Sequence, residues 1–172
     1  MGNLFDRITD KQRELIESSP LFFVASVHPE LSDAPSGAGP VNVSPKGGTR
    51  LHVLGPRRVA YLDYPGSGNE TARHAEGGGP VTIMVMSMGA EDAAIVRLYG
   101  RAQVAEIDGS ELAQRLLADP ATHLAKKPRQ LVTVDVSQTQ TSCGYGVPIY
   151  DYVGQRTKDG RGRAYKEPNP TT

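Results

Sequence analysis

The chain has 172 residues, a mass of 18.4 kDa and one cysteine, with 19 Lys+Arg against 19 Asp+Glu and a formal net charge of zero. At roughly 100–200 residues per domain this is one domain with a core of its own, and 38% hydrophobic with 22% charged residues marks a globular chain rather than a disordered one. The balance of charge excludes a chain-wide basic field for nucleic acid or an anionic membrane, the lone cysteine excludes an internal disulfide, and the longest apolar run, 80–88, is too short for a membrane helix.

The opening MGNLFDRITD has neither a basic n-region nor an apolar h-region, and Asp6 stands where a myristoylation signal needs Ser or Thr; the expected location is cytoplasmic. Thr9 followed by Gln12 reads as a capping box for a short helix over 10–18, which Pro20 stops. LFFVASV (21–27) is apolar and β-branched throughout and predicts a buried strand. Residues 28–40 are rich in Pro, Gly, Ser and Asp and predict a loop. PVNVS (40–44) and TRLHVLG (49–55) alternate apolar and polar, and the PKGG between them reads as a hairpin connection. RRVAYLDY (57–64) is a fourth strand.

Residues 65–80 read as a glycine-rich turn, a short helix and a glycine stop. Two long strands follow at 81–88 and 94–107, with Gly100 marking a bulge or a close backbone approach in the second. Asp108, Ser110 and Glu111 can cap a helix over 109–118, and LVTVDVSQT (131–139) is the last strand. Residues 154–172 are polar and aperiodic, an extended or disordered tail after a domain of 1–153. Six or seven closely spaced strands with only short helices predict a mainly β barrel or sandwich, because parallel crossovers need longer connections than these gaps allow.

No GxSxG elbow, GxxxxGK[ST] loop or HExxH helix is present, and His28, His52, His74 and His123 lie at no metal-binding spacing. No metal site is expected, and the chemistry points to a cofactor. Two segments carry anion-binding character. In VNVSPKGG (41–48), Asn42 and Ser44 share one strand face and Lys46 follows as a mobile charge; an ordinary hairpin with a solvated lysine is the competing reading. In GSGNETARH (66–74), glycines open a helix whose Asn69 and Thr71 can donate to phosphate, with Arg73 and His74 in the first turns; Ser67 with Glu70 forms a capping box that closes the helix start without a ligand. RLYGR (97–101) sets Arg97, Tyr99 and Arg101 on one strand face. Cys143 has no basic neighbour to lower its pKa and reads as a small buried turn residue. Arg156, Arg161, Arg163 and Lys166 read as a solvated terminus.

Taken in order, FFVASV, VNVSPKGG, RRVAYLDYPGSGNETARH, VTIMVMSM, VRLYGRAQV and TQTSCGYGVP resemble the pyridoxamine 5′-phosphate oxidase-like family of FMN-binding split β-barrels, in particular its branch with SPKG, GSGNET and SCGYGVP signatures, over roughly residues 5–153. The resemblance implies a six- to seven-stranded split β-barrel that forms a homodimer and holds FMN in a cleft between subunits. It assigns Asn42, Ser44 and Lys46 to the phosphate-contacting strand and Ser67, Asn69 and Thr71 to the turn around the phosphate. The backbone of Ala60, Tyr61 and Leu62 would edge the flavin ring, Arg97 would contact the flavin, and Gln140, Ser142 and Cys143 would approach the ring from the partner subunit. The chain departs from the true oxidases in having Gly68, Asn69, Glu70 and Thr71 where they carry an arginine-rich phosphate cluster, and its tail does not match their basic substrate-binding segment. The expected function is an FMN-dependent oxidoreductase of unknown small-molecule substrate, with these departures weighing against pyridoxamine phosphate and NAD(P)H a candidate donor. A non-catalytic flavin carrier or sensor remains open. So do a split barrel that binds deazaflavin F420, or haem through His28 or His74, and a bare interaction module.

Overall fold

The computed structural model describes residues 2–31, 40–66, 68–120, 122 and 127–156. The predicted loop falls largely outside the described residues, as do Ser67, His123 and the tail beyond Arg156.

The chain runs β1 (Asn3–Phe5), α1 (Asp10–Ser18), β2 (Leu21–Val27), β3 (Val41–Gly47), β4 (His52–Gly55), β5 (Arg58–Asp63), α2 (Glu70–Glu76), β6 (Pro80–Met86), β7 (Ala94–Glu106), α3 (Glu111–Ala118) and β8 (Gln130–Cys143). The capping box forms as read: Gln12 N–H donates to Thr9 Oγ1 and Thr9 N–H to Gln12 Oε1. Gln12 is buried, and its amide also meets Thr139 and Thr141 of β8, so the cap ties α1 to the sheet. Ser110 caps α3 by accepting from Ala113 N–H at 3.2 Å.

All strand pairs are antiparallel and form one eight-stranded sheet in the order β3-β2-β6-β7-β8-β5-β4, with β1 added against the end of β8. One face of β2, β5, β6, β7 and β8 contributes to a single core cluster with Ile8, Ile16 and Leu51, so the sheet coils around its interior. It does not close: β3 and β4, consecutive in sequence, lie at opposite edges. This mostly antiparallel architecture, with three short helices among the described residues, is the expected split barrel.

The hairpin expected at PKGG does not form. β3 continues through Pro45 and Lys46 to Gly47, pairing with β2 as far as Leu21, and β4 pairs only with β5. Gly48 then turns with φ 71°, and the Thr49 hydroxyl donates to Leu62 O at 2.8 Å, which carries the chain across the barrel mouth. Proline is tolerated within β3 because the strand is an edge. β1 is the strand that the reading lacked, three residues without a detectable period.

β2 is buried on one face only. Phe22, Val24 and Ser26 point inward, whereas Leu21, Phe23, Ala25 and Val27 are half-buried on the outer face. In register with them lie Val41 and Val43 of β3, 59% and 63% exposed, and Met84 of β6. β5 is buried on both faces because α3 covers its outside: Ala60 and Leu62 pack with Ala113, Leu116 and Leu131, while Val59 and Tyr61 face the barrel core. The irregularity expected at Gly100 is real. Tyr99 faces Gln138 but Gly100 faces Val136, so Ser137 of β8 is the extra, bulged residue. A Cβ at Gly100 would run into the Asp135 carbonyl.

Candidate functional site

At the split between β3 and β5 lies a polar cleft of about 510 Å³, walled by residues 42–46 of β3, by Asp63 and Tyr64 at the end of β5, by the Gly68–Thr71 approach to α2, and by Arg129. Strand alternation puts Asn42, Ser44 and Lys46 on the cleft side while Val41 and Val43 face outward. Asn42 donates to Thr71 Oγ1 at 3.4 Å, joining the two predicted segments across the opening.

The centre of the cleft is a carboxylate that the sequence reading did not single out. Asp63 is 4% exposed and accepts from Lys46 Nζ at 2.7 Å and from the Arg129 guanidinium at 3.0 Å. Gln130 Nε2 reaches both Asp63 at 3.1 Å and Asn69 Oδ1 at 2.9 Å. Arg129 also donates to Gly68 O at 3.0 Å, which fixes the turn before α2. Lys46 and Arg129 therefore arrive from opposite walls and converge on one buried anion. Lys46 Nζ further lies 5.8 Å from the centre of the Tyr61 ring, on its face. The Tyr61 hydroxyl is buried with no hydrogen-bond partner among the described residues, and burial pushes its pKa far above the ordinary phenol value.

Of the predicted residues, Asn42, Ser44, Lys46, Asn69 and Thr71 line this cleft. Ser67 lies outside the described residues. The capping box assigned to it is displaced, because α2 starts at Glu70 with Asn69 as N-cap, which puts Glu70 at N1 rather than N3. Asn69 makes no cap bond; its side chain is engaged with Gln130 instead. Glu70 pairs with Arg73 at 3.5 Å. Ala60, Tyr61 and Leu62 are wholly buried and do not line the cleft; the contribution of β5 to its lining begins one residue later, at the buried Asp63.

Arg97, Gln140 and Ser142 cluster elsewhere, on the outer face of β7 and β8. Arg97 is in register with Gln140 and donates to Ser142 Oγ at 2.9 Å; Tyr99 donates to Gln140 at 2.9 Å. None of these lines the polar cleft of the same chain. Cys143 follows on β8 and is exposed, not the buried turn residue the sequence suggested, because β8 runs on to it as an edge beside Ala94. Arg101 turns away to the Gly78 carbonyl. His74 is fully buried with Nδ1 at 2.9 Å from Ser26 Oγ, and His28 Nδ1 is engaged by the Glu30 backbone. His74 Nε2 is buried and has no hydrogen-bond partner among the described residues. Among the described residues no group of three metal-ligating side chains occurs.

Arg129, Gln130 and Asp63 were missed for separate reasons. KKPRQ reads as a solvated basic run before a strand. Asp63 looks like an ordinary strand end, although its parity with Val59 and Tyr61 on an apolar strand signals an inward carboxylate.

Comparison with known proteins agrees with this architecture. HupZ structures from Group A Streptococcus superpose with TM-scores of 0.57 and 0.54 at 20% and 21% identity, covering 78% and 75% of this chain and 99% and 89% of theirs. A conserved protein of unknown function from Corynebacterium diphtheriae superposes with a TM-score of 0.53 at 15% identity, over 83% of this chain and 98% of that one. At such identities the likeness is one of fold. The pyridoxamine 5′-phosphate oxidase family protein ustO of Aspergillus flavus is 34% identical over 153 residues, 88% of this chain, and this chain spans 58% of that relative's length. The family model for pyridoxamine 5′-phosphate oxidase matches residues 8–143, which takes in both walls of the cleft and the outer-face cluster on β7 and β8. The chain belongs to the pyridoxamine 5′-phosphate oxidase family.

Proposed function

We propose that this chain binds FMN and serves as an FMN-dependent oxidoreductase, acting as a homodimer. The observation that carries the reading is the convergence of Lys46 and Arg129 from two walls of a polar cleft, beside the amide and hydroxyl donors of Asn42, Asn69 and Thr71. Two cations plus neutral donors suit one phosphate group, which would share those cations with Asp63 in a lining that also carries Glu70. Arg129 supplies the charge that the missing arginine cluster of the true oxidases left in doubt. The cleft holds no further basic lining residue among those described, which disfavours the long acidic tail of deazaflavin F420.

Two features support the dimer reading. The outer face around Val41, Val43 and Phe23 is apolar and only half covered. Arg97, Gln140 and Ser142 are polar, mutually held, and remote from the cleft of their own chain. Packing of this face against a second copy would bring Arg97 of the partner subunit and its β8 neighbours to a flavin anchored at Lys46. A bound flavin supplies hydride chemistry; the protein's part is to anchor the phosphate, to present donors at the ring and to exclude water.

Denaturing the purified protein and weighing the released ligand tests the flavin directly, with FMN expected and haem or no ligand refuting it. Lys46→Ala should lower FMN retention while leaving the redox spectrum of the bound fraction unchanged; equal flavin content removes Lys46 from the site. Val43→Asp should shift a dimer to monomer in sedimentation and weaken FMN in step. Anaerobic reduction by NADH or NADPH, followed by reoxidation with acceptors, separates an enzyme from a carrier.

A further inference from the structure

Beyond the polar cleft lies a second, larger cavity of about 1080 Å³. Tyr64 lines both, and Gly47 and Gly48, which follow Lys46 in the chain, line the cavity, so the two spaces adjoin. The floor is Leu15 of α1 with Pro20 and Leu21 at the start of β2, and Met86 and Met88 form a wall. The roof comes from the segment after β8. Gly144 N–H donates to Ala93 O and Tyr150 N–H to Met88 O, both at 2.9 Å, which pins this arm to the β6–β7 connection. Gln155 then reaches back beside Gly47, 3.6 Å from where a Cβ would sit. The arm thus lines the space with Tyr150 and Tyr152, each 61% exposed.

The chemistry of this lining differs from that of the cleft. Methionines adapt to irregular apolar shapes, and tyrosines offer flat faces. Among the described residues the charged ones lining it are Asp151 and Arg156, one of each sign, both on the arm. Nothing here duplicates the paired cations that face Asp63. The volume is at the upper end of small-molecule sites. We infer that this cavity is the substrate pocket and takes an uncharged, largely apolar, bulky small molecule rather than a phosphorylated one. Its role as a substrate pocket rests on the flavin reading of the adjoining cleft; its existence as an apolar binding site does not.

The test uses the full chain in its native oligomeric state, with the uncharged dye Nile red as probe and FMN binding measured separately by quenching of flavin emission. Gly89 lines the cavity, its backbone is outside the left-handed region, and a Cβ there meets nothing within 4 Å, so Gly89→Trp adds bulk at the cavity's edge with no clash at Cβ. Tyr150→Ala with Tyr152→Ala strips a roof that is already partly exposed. Expected are saturable binding of one dye per chain, persistence at saturating FMN, and a loss of roughly tenfold or more in affinity in both variants, with FMN affinity unchanged. Dye binding without any FMN binding would keep the apolar site while removing the flavin reading. Absence of dye binding, equal binding by a folded Gly89→Trp, displacement of the dye by FMN, or binding only after the oligomer is dissociated would each overturn the proposal.

Discussion

Replacing Asp63 by asparagine should make the protein less stable and its hold on anions stronger. The carboxylate is 4% exposed and faces Lys46 at 2.7 Å and Arg129 at 3.0 Å. With an effective dielectric near 20, each pair attracts by roughly 6 kcal/mol before desolvation is charged against it. Breaking such a buried group from one side costs about 3–5 kcal/mol net, because two cations are left facing each other. For a chain of this size that lowers Tm by about 6–20 °C. An anion in the cleft of the parent must share those cations with Asp63 and is repelled by it. A carboxylate roughly 6 Å away opposes each anionic charge by about 3 kcal/mol at the same dielectric, so its removal should tighten phosphate binding by about a hundredfold for each charge the phosphate carries. The assay is thermal unfolding of parent and variant across titrations of inorganic phosphate and FMN. The variant should melt low without anion and regain part of the deficit as phosphate is added, while the parent gains less. A variant indifferent to phosphate, or one that binds FMN more weakly than the parent, would refute the assignment of the cleft as an anion site organised by Asp63.

Arg129→Ala should lower FMN affinity by about 10–100-fold, the weight of a charge-assisted hydrogen bond, and should loosen the turn at Gly68, read as faster amide exchange at residues 68–71. Gly100→Ala should cost about 1–3 kcal/mol, seen as a lower denaturant midpoint at unchanged m, because the new Cβ collides with the Asp135 carbonyl at the bulge. Acid should destabilise the fold through two imidazoles: burial lowers the pKa of His74, and burial with the nearby Arg50 charge lowers that of His52. Each binds fewer protons folded than unfolded, so its contribution is complete above the unfolded value of about 6.5 and is lost as pH falls through the depressed folded value. Denaturant unfolding between about pH 5 and 7.5 should show stability rising with pH, and His74→Gln should flatten that slope.

Local signals carried most of the secondary structure. The Thr9–Gln12 capping box, the Gly100 irregularity, the long β7 and the Ser110 cap all depend on contacts within a few residues or on a period of two, and these can be read directly from sequence. The ordered family motifs pointed to the split barrel and to one wall of the cleft, since Asn42, Ser44 and Lys46 share a strand face by parity alone. What could not be read depends on partners distant in the chain. PKGG carries the residues of a hairpin turn, yet pairing of Gly47 with Leu21 keeps it in a strand and opens the barrel there. Asp63 and Arg129 are 66 positions apart and look unremarkable singly. They become a site only because β5 and β8 pair, which sets Asp63 opposite Gln130 and swings Arg129 over the cleft. The second, apolar cavity likewise exists only where the arm after β8 folds back to β3, a closure set by tertiary geometry rather than by any local pattern.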